Sequence, residues 1–90
     1  MAADSPTIAD LRRKAVVTDA EIAQAVDAYL ADPQAGPHRF ASGHSIDVAQ
    51  AIAAHAPSRD ALSALAAGER PAYRRTMVMT AVILAKATLP

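Results

Sequence analysis

Residues 18–32, Thr-Asp-Ala-Glu-Ile-Ala-Gln-Ala-Val-Asp-Ala-Tyr-Leu-Ala-Asp, decide the fold class. Thr18 and Glu21 stand three apart, the spacing of a capping box in which each side chain takes a free backbone N–H of the helix start. Ile22, Val26, Tyr29 and Leu30 then recur at the interval of one helical face. Pro33 follows, so the helix is expected to end at Asp32, because the residue before proline is driven out of the helical region.

The same signals extend both ways along the chain. Upstream, Ser5-Pro6 reads as an N-cap and first-turn pair for a short helix carrying Ile8 and Leu11, ahead of the basic run Arg12-Arg13-Lys14. Residues 1–17 are expected to form an N-terminal arm with that short helix, and residues 18–90 a single helical domain. Downstream, residues 33–44 (PQAGPHRFASGH) form the one long irregular stretch. Ser42 or Ser45 is then expected to cap a helix with Ile46, Ala49, Ile52 and Ala53 on one side, stopped by Pro57. A fourth helix is expected from Ser58, with Leu62 and Leu65 inward and Gly68 as its C′ residue. The last is expected from Pro71 to about Thr88 and is apolar almost all round, which places it centrally or against a partner.

Composition agrees with helix. Hydrophobic residues make up 52% of the 90 residues, 47 positions, but 24 of these are alanine, leaving 23 larger side chains for a thin core. Burying a large apolar side chain contributes roughly 1.5–3 kcal/mol, against a backbone ordering cost of about 1–2 kcal/mol per residue. Close helix packing or a homodimer is therefore expected to support the fold. Tyr29, Phe40 and Tyr73 are the only aromatic residues, which gives a sheet little to build on. The expected class is an all-α, four- to five-helix orthogonal bundle.

Nine Lys and Arg balance nine Asp and Glu, so no net field steers the chain toward nucleic acid or membrane. The distribution is polar, however. Residues 1–32 hold six acidic and three basic residues, and residues 33–90 hold three acidic and six basic. That polarity fits either a nucleic-acid face on the second half or internal and intersubunit complementarity. With no cysteine, disulfide and thiolate chemistry are absent. The N-terminus lacks the apolar core of a secretory signal, so a cytoplasmic location is expected. The apolar run from Thr76 to Ala85 is far short of the roughly 20 residues that span a bilayer, and no membrane partner is expected.

The segment Ser58-Arg-Asp-Ala-Leu-Ser-Ala-Leu-Ala-Ala-Gly-Glu-Arg-Pro71 resembles the recognition helix and following turn of Cro- and phage-repressor-type helix-turn-helix proteins. Ser58, Leu62, Ser63, Leu65, Gly68 and Arg70 fall at the family's offsets, while Pro71 comes one residue early and Ala66 stands where an acidic residue is usual. The positioning helix would run from Ile46 to His55, with Ala56-Pro57 in place of the usual glycine. The resemblance implies a non-enzymatic transcription regulator that binds duplex DNA as a dimer. It implies that Arg59, Asp60 and Ser63 face bases and that Ser58, Arg70, Arg74 and Arg75 contact phosphate.

Two other readings compete. Phe40-Ala-Ser-Gly-His-Ser-Ile46 resembles the attachment motif of acyl and peptidyl carrier proteins, which implies a phosphopantetheine on Ser45 at a helix N-terminus. Otherwise the chain is a plain interaction module whose last helix buries Met77, Val78, Val82 and Ile83 against a second copy or a protein partner. His38, His44 and His55 keep no metal-ligand spacing, and no nucleophile, base and orienter come together in the sequence. No catalytic residue, metal or cofactor is expected.

Overall fold

The computed structural model describes residues 6–66 and 68–88. The fold is mostly helical, with α1 (Ile8–Arg13), α2 (Asp19–Ala31), α3 (Val48–Ala54), α4 (Ala56–Ser63) and α5 (Pro71–Leu84), plus strands β1 (His38–Arg39) and β2 (Ser45–Ile46). The all-α expectation is therefore corrected by a small antiparallel sheet.

α2 starts as its sequence requires: the Thr18 side chain accepts from the Glu21 N–H and the Glu21 carboxylate accepts from the Thr18 N–H. α1 carries a second box that the Ser5-Pro6 reading passes over, with Thr7 and Asp10 exchanging the same bonds. Ser5 itself lies outside the described residues. α1 ends in a Schellman-type turn, in which the Ala15 N–H donates to Arg12 O and the Val16 N–H to Leu11 O, at 3.0 and 2.9 Å. Ala15 takes the left-handed conformation (φ 60°) that glycine usually fills there.

The core gathers Ile8, Leu11, Val17, Ile22, Val26, Phe40, Ile46, Val48, Ile52, Val78 and Val82. Ile8, Leu11 and Val17 bring the segment around α1 into this core. All four other helices pack against α5, the position its all-round apolar sequence leads one to expect.

The middle of the chain departs most from expectation. The stretch 33–44 contains β1, which pairs with β2 in the register His38↔Ile46 and Arg39↔Ser45. Phe40 N–H donates to His44 O at 2.8 Å and Gly43 N–H to Phe40 O at 2.9 Å, and Gly43 supplies the positive φ (93°) that the turn needs. α3 is capped by Asp47, not by Ser42 or Ser45, so its buried face is Val48, Ala51 and Ile52, while Ala49 and Ala53 are exposed. α4 stops at Ser63, which leaves Leu65 beyond it and Gly68 in the turn before α5.

α5 ends at Leu84, and the chain then runs extended to Thr88. Ile8 N–H donates to Ala85 O at 2.9 Å and Ala87 N–H to Pro6 O at 2.8 Å, while Ser45 and Thr88 exchange bonds of 2.7 and 2.9 Å. The C-terminal segment therefore lies between the start of α1 and the hairpin and ties them together.

Candidate functional surfaces

α3 and α4 meet at one residue. His55 is both the C-cap of α3 and the N-cap of α4. A helix-turn-helix joins its helices through about three to four residues, so this junction departs from what the resemblance implies. The N-terminal end of α4 is also held inward. Ser58 is 0% exposed; its hydroxyl donates to Met77 O at 2.9 Å and meets His55 Nδ1 at 2.8 Å. Because that hydroxyl has one proton and gives it to the carbonyl, His55 must donate from Nδ1. Ser58 is thus a polar pin between α4 and α5, and burial removes it from the phosphate-contacting set.

Arg59, Asp60 and Ser63 are exposed. Arg59 pairs with Asp60 at 3.2 Å and reaches Ala53 O at 3.5 Å, and the Ser63 hydroxyl turns back to Arg59 O at 2.9 Å. The other expected phosphate contacts cluster at the start of α5 and are each engaged. Arg70, left-handed at φ 48°, lays its guanidinium 4.3 Å from the centre of the Tyr73 ring. Arg74 Nη2 donates to Ala66 O at 2.6 Å. Arg75 Nε donates to Asp27 at 3.0 Å and so joins the basic half of the sequence to the acidic half.

Ser45 lies in β2, two residues before the Asp47 cap, with its N–H and C=O both bonded to Thr88. It does not stand at a helix N-terminus, the placement on which the carrier resemblance depends. The histidines are dispersed: His38 packs edge-on to Phe40, His44 Nδ1 meets the Ser42 hydroxyl at 2.9 Å, and His55 is held by Ser58. Among the described residues no group of three His, Asp or Glu side chains gathers as a metal would need.

One carboxylate organises a remote contact. Glu21 Oε2 accepts from the Ala41 N–H at 3.1 Å and so clamps the hairpin turn to the start of α2. This backbone bond, with those from Thr18, lowers the Glu21 pKa below the usual glutamate value. Asp10 is lowered in the same direction, first by the Thr7 N–H and further by Arg13.

Of the four expected interface residues, Val78 and Val82 are 0% exposed, taken up by the protein's own core, and Met77 is half-buried with its carbonyl on Ser58. Ile83 alone lies on the opposite side, beside Met79, along a shallow groove of ≈ 420 Å³ on the outer face of α5. The groove is lined by Ala72, Arg75, Thr76, Met79, Thr80 and Ile83, of which Arg75 alone is charged and is paired with Asp27, and Met79 also packs against the core. Thr76 and Thr80 fold their hydroxyls onto Ala72 O and Thr76 O, at 3.0 and 2.8 Å, and Leu84 is 56% exposed.

Other grooves among the described residues include one of ≈ 600 Å³ between α3 and the C-terminal segment, one of ≈ 450 Å³ among α2, α4 and α5, and a small one of ≈ 70 Å³ between α2 and β1. No helix among the described residues is long and apolar enough to cross a membrane. No protein-family model, curated protein or solved structure matches the chain.

Proposed function

We propose that this protein is a small, non-enzymatic interaction module that engages a protein partner through the outer face of α5 and needs no nucleic acid to do so. The observation that carries this reading is the outer groove of α5, whose lining holds a single charge, the Arg75 already paired with Asp27, in a chain where one residue in five is charged. Protein interfaces are distinguished by loss of charge at their centre, whereas a helix face meant for water carries charged or polar side chains. The two threonines fit the same use, because their hydroxyls are already bonded to the helix and present methyl groups outward.

A second reading, a DNA-binding regulator, keeps one observation in its favour: Arg59, Asp60 and Ser63 all reach solvent on α4, with Arg70 and Arg74 nearby in sequence and lacking carboxylate partners among the described residues. A fluorescence-anisotropy titration with mixed-sequence duplex at about 50 and 200 mM salt separates the two, since phosphate contacts weaken steeply over that range. The expected outcome is no binding at the lower salt. Salt-steep binding that Arg59→Ala and Arg74→Ala both weaken would overturn the interaction reading.

A further inference from the structure

We infer that residues 85–88, the segment after α5, are a two-sided strap that opens as one unit, so that losing its hold on the hairpin also releases the start of α1. Neighbouring residues of an extended chain send their backbone groups to opposite sides, and the strap uses both. On one side Ala85 O accepts from the Ile8 N–H at 2.9 Å and the Ala87 N–H donates to Pro6 O at 2.8 Å. On the other, Thr88 and Ser45 exchange bonds of 2.7 and 2.9 Å. Lys86 thus stands opposite Thr7 and Thr88 opposite Ser45, with the strap in the middle of three extended segments. The hold is made by the main chain: Ala87 alone is fully buried, Ala85 is half-buried, and Lys86 and Thr88 face solvent.

Fixing an extended backbone costs conformational entropy for every residue ordered, and in the strap that cost is met once while both sides gain bonds. With the Ser45 pair gone, the Pro6 and Ile8 bonds alone must hold the whole segment in place, and the net contribution of each is modest. The donors to Pro6 and Ser45 also come from the adjacent residues Ala87 and Thr88, so a rotation about Ala87 that frees one side displaces the other. Two surfaces far apart in sequence are coupled as a result. Ser45, Lys86 and Thr88 line the ≈ 600 Å³ groove beside α3, whereas Pro6 and Ile8 lie at the start of α1. Whatever displaces the strap in that groove loosens α1, and whatever holds it there steadies α1. α2 and α5 do not follow, because Val26 and Val78 are fully buried in the core. The strap lies apart from the outer groove of α5 and acts whether or not that groove holds a partner.

Native-state hydrogen exchange of the full chain reads this residue by residue, because amides freed by one opening share one free energy and one dependence on denaturant. The N–H groups of Ile8, Ser45, Ala87 and Thr88 are expected to exchange together, below the stability of those of Val26 and Val78. Separate openings for Ile8 and Ser45 in the native chain would overturn the single unit without any variant. Thr88→Pro then removes the donor to Ser45 at an exposed position, and Ala87 before it already lies in an extended stretch, as a residue preceding proline should. Exchange at Ile8 and Ala87 should quicken along with Ser45, by roughly tenfold or more for the two bonds lost, while Val26 and Val78 stay as they were. Thr88→Ala keeps the N–H and loses only a long hydroxyl contact to Ser45 O, so its rates should stay within about twofold of native. Quickening at Ser45 alone would reduce the strap to a fraying end, and equal quickening of Val26 and Val78 would show that nothing opens short of the whole domain. An equal effect of Thr88→Ala would overturn the main-chain hold.

Discussion

The two longest helices, α2 and α5, pack against each other yet meet solvent in opposite ways. α2 begins with a complete capping box, holds Asp19 and Glu21 in its first turn where the dipole favours them, and exposes Asp19, Gln24 and Asp27. α5 begins after a left-handed arginine with no side-chain cap, has basic rather than acidic residues near its start, and has Arg75 as the one charge lining its outer groove. α2 is finished for water; α5 is finished on its inner side only. Arg75 and Asp27 mark the edge along which the two treatments meet.

The contrast predicts a steep gradient of mutational cost around α5. Val78→Ala on the inner side should be the most damaging change, because Val78 is fully buried where the helices converge. Loss of the buried methyls and the cavity they leave should cost about 2 kcal/mol and lower Tm by roughly 10 °C, read from urea and thermal melts. A loss under about 0.5 kcal/mol would mean that α5 is not the packing centre.

Ser58→Ala should follow closely. It strands His55 Nδ1–H, and it removes the one side-chain hydrogen bond from α4 to the α5 backbone among the described residues. Leaving a part-buried donor without its partner costs about 1–3 kcal/mol. An unchanged urea midpoint would show that the hydroxyl pins nothing. Ser58→Thr offers no rescue if the pocket is as tight as zero exposure indicates.

Thr18→Ala tests the other helix. α2 should lose about 1 kcal/mol with its cap, a loss that α5, which has no capping side chain, has no counterpart for. The Glu21 partner in that box also carries a pH signature. Its folded pKa lies below its unfolded value, so its contribution to stability is fully present above the ordinary glutamate range and is lost as pH falls through the lowered value. Stability of the native chain should therefore fall on acidification more than that of Glu21→Gln, in melts taken between pH 6 and pH 3, roughly the span over which glutamates titrate. Parallel curves for the two would show that the clamp on the Ala41 N–H is not formed in solution.

What could be read in advance follows from how local each cause is. The Thr18–Glu21 box and the Pro33 stop act within a few residues, and α2 stands where they place it. The centrality of α5 was legible because an all-round apolar helix has few other places to go. The hairpin was not, since Phe40, Gly43 and Ile46 sit in a proline- and glycine-rich stretch that is also held from far along the chain, by Glu21 on the Ala41 N–H and by Thr88 on Ser45. Ser58 looked like a helix start because serine before a helical pattern usually is one. Its true role depends on Met77 O, 19 residues on, which no local pattern reports. The interface residues went astray for a related reason: a helix apolar on every side does not declare which side its own domain will take, and Val78 and Val82 went inward.

The smallest expected change in monomer stability is the most informative about the outer face. Thr76 is exposed and its hydroxyl serves only its own helix, so Thr76→Lys should alter the stability of the isolated chain by no more than about 0.5 kcal/mol. Its effect should appear instead in how stability depends on concentration. Association that favours the folded state raises Tm as the protein concentration rises. If the homodimer expected from the thin core forms through the outer groove of α5, native protein should show a climbing Tm over a hundredfold concentration series, while Thr76→Lys, with a new charge in that groove, should give a flat one. Asp27→Ala, on the solvated side of the α2–α5 edge, removes an exposed ion pair of little worth and should leave the climb intact. If Thr76→Lys climbs as the native chain does, the difference between the two helices is one of composition only, and the sparsely charged outer groove of α5 is simply tolerated by water.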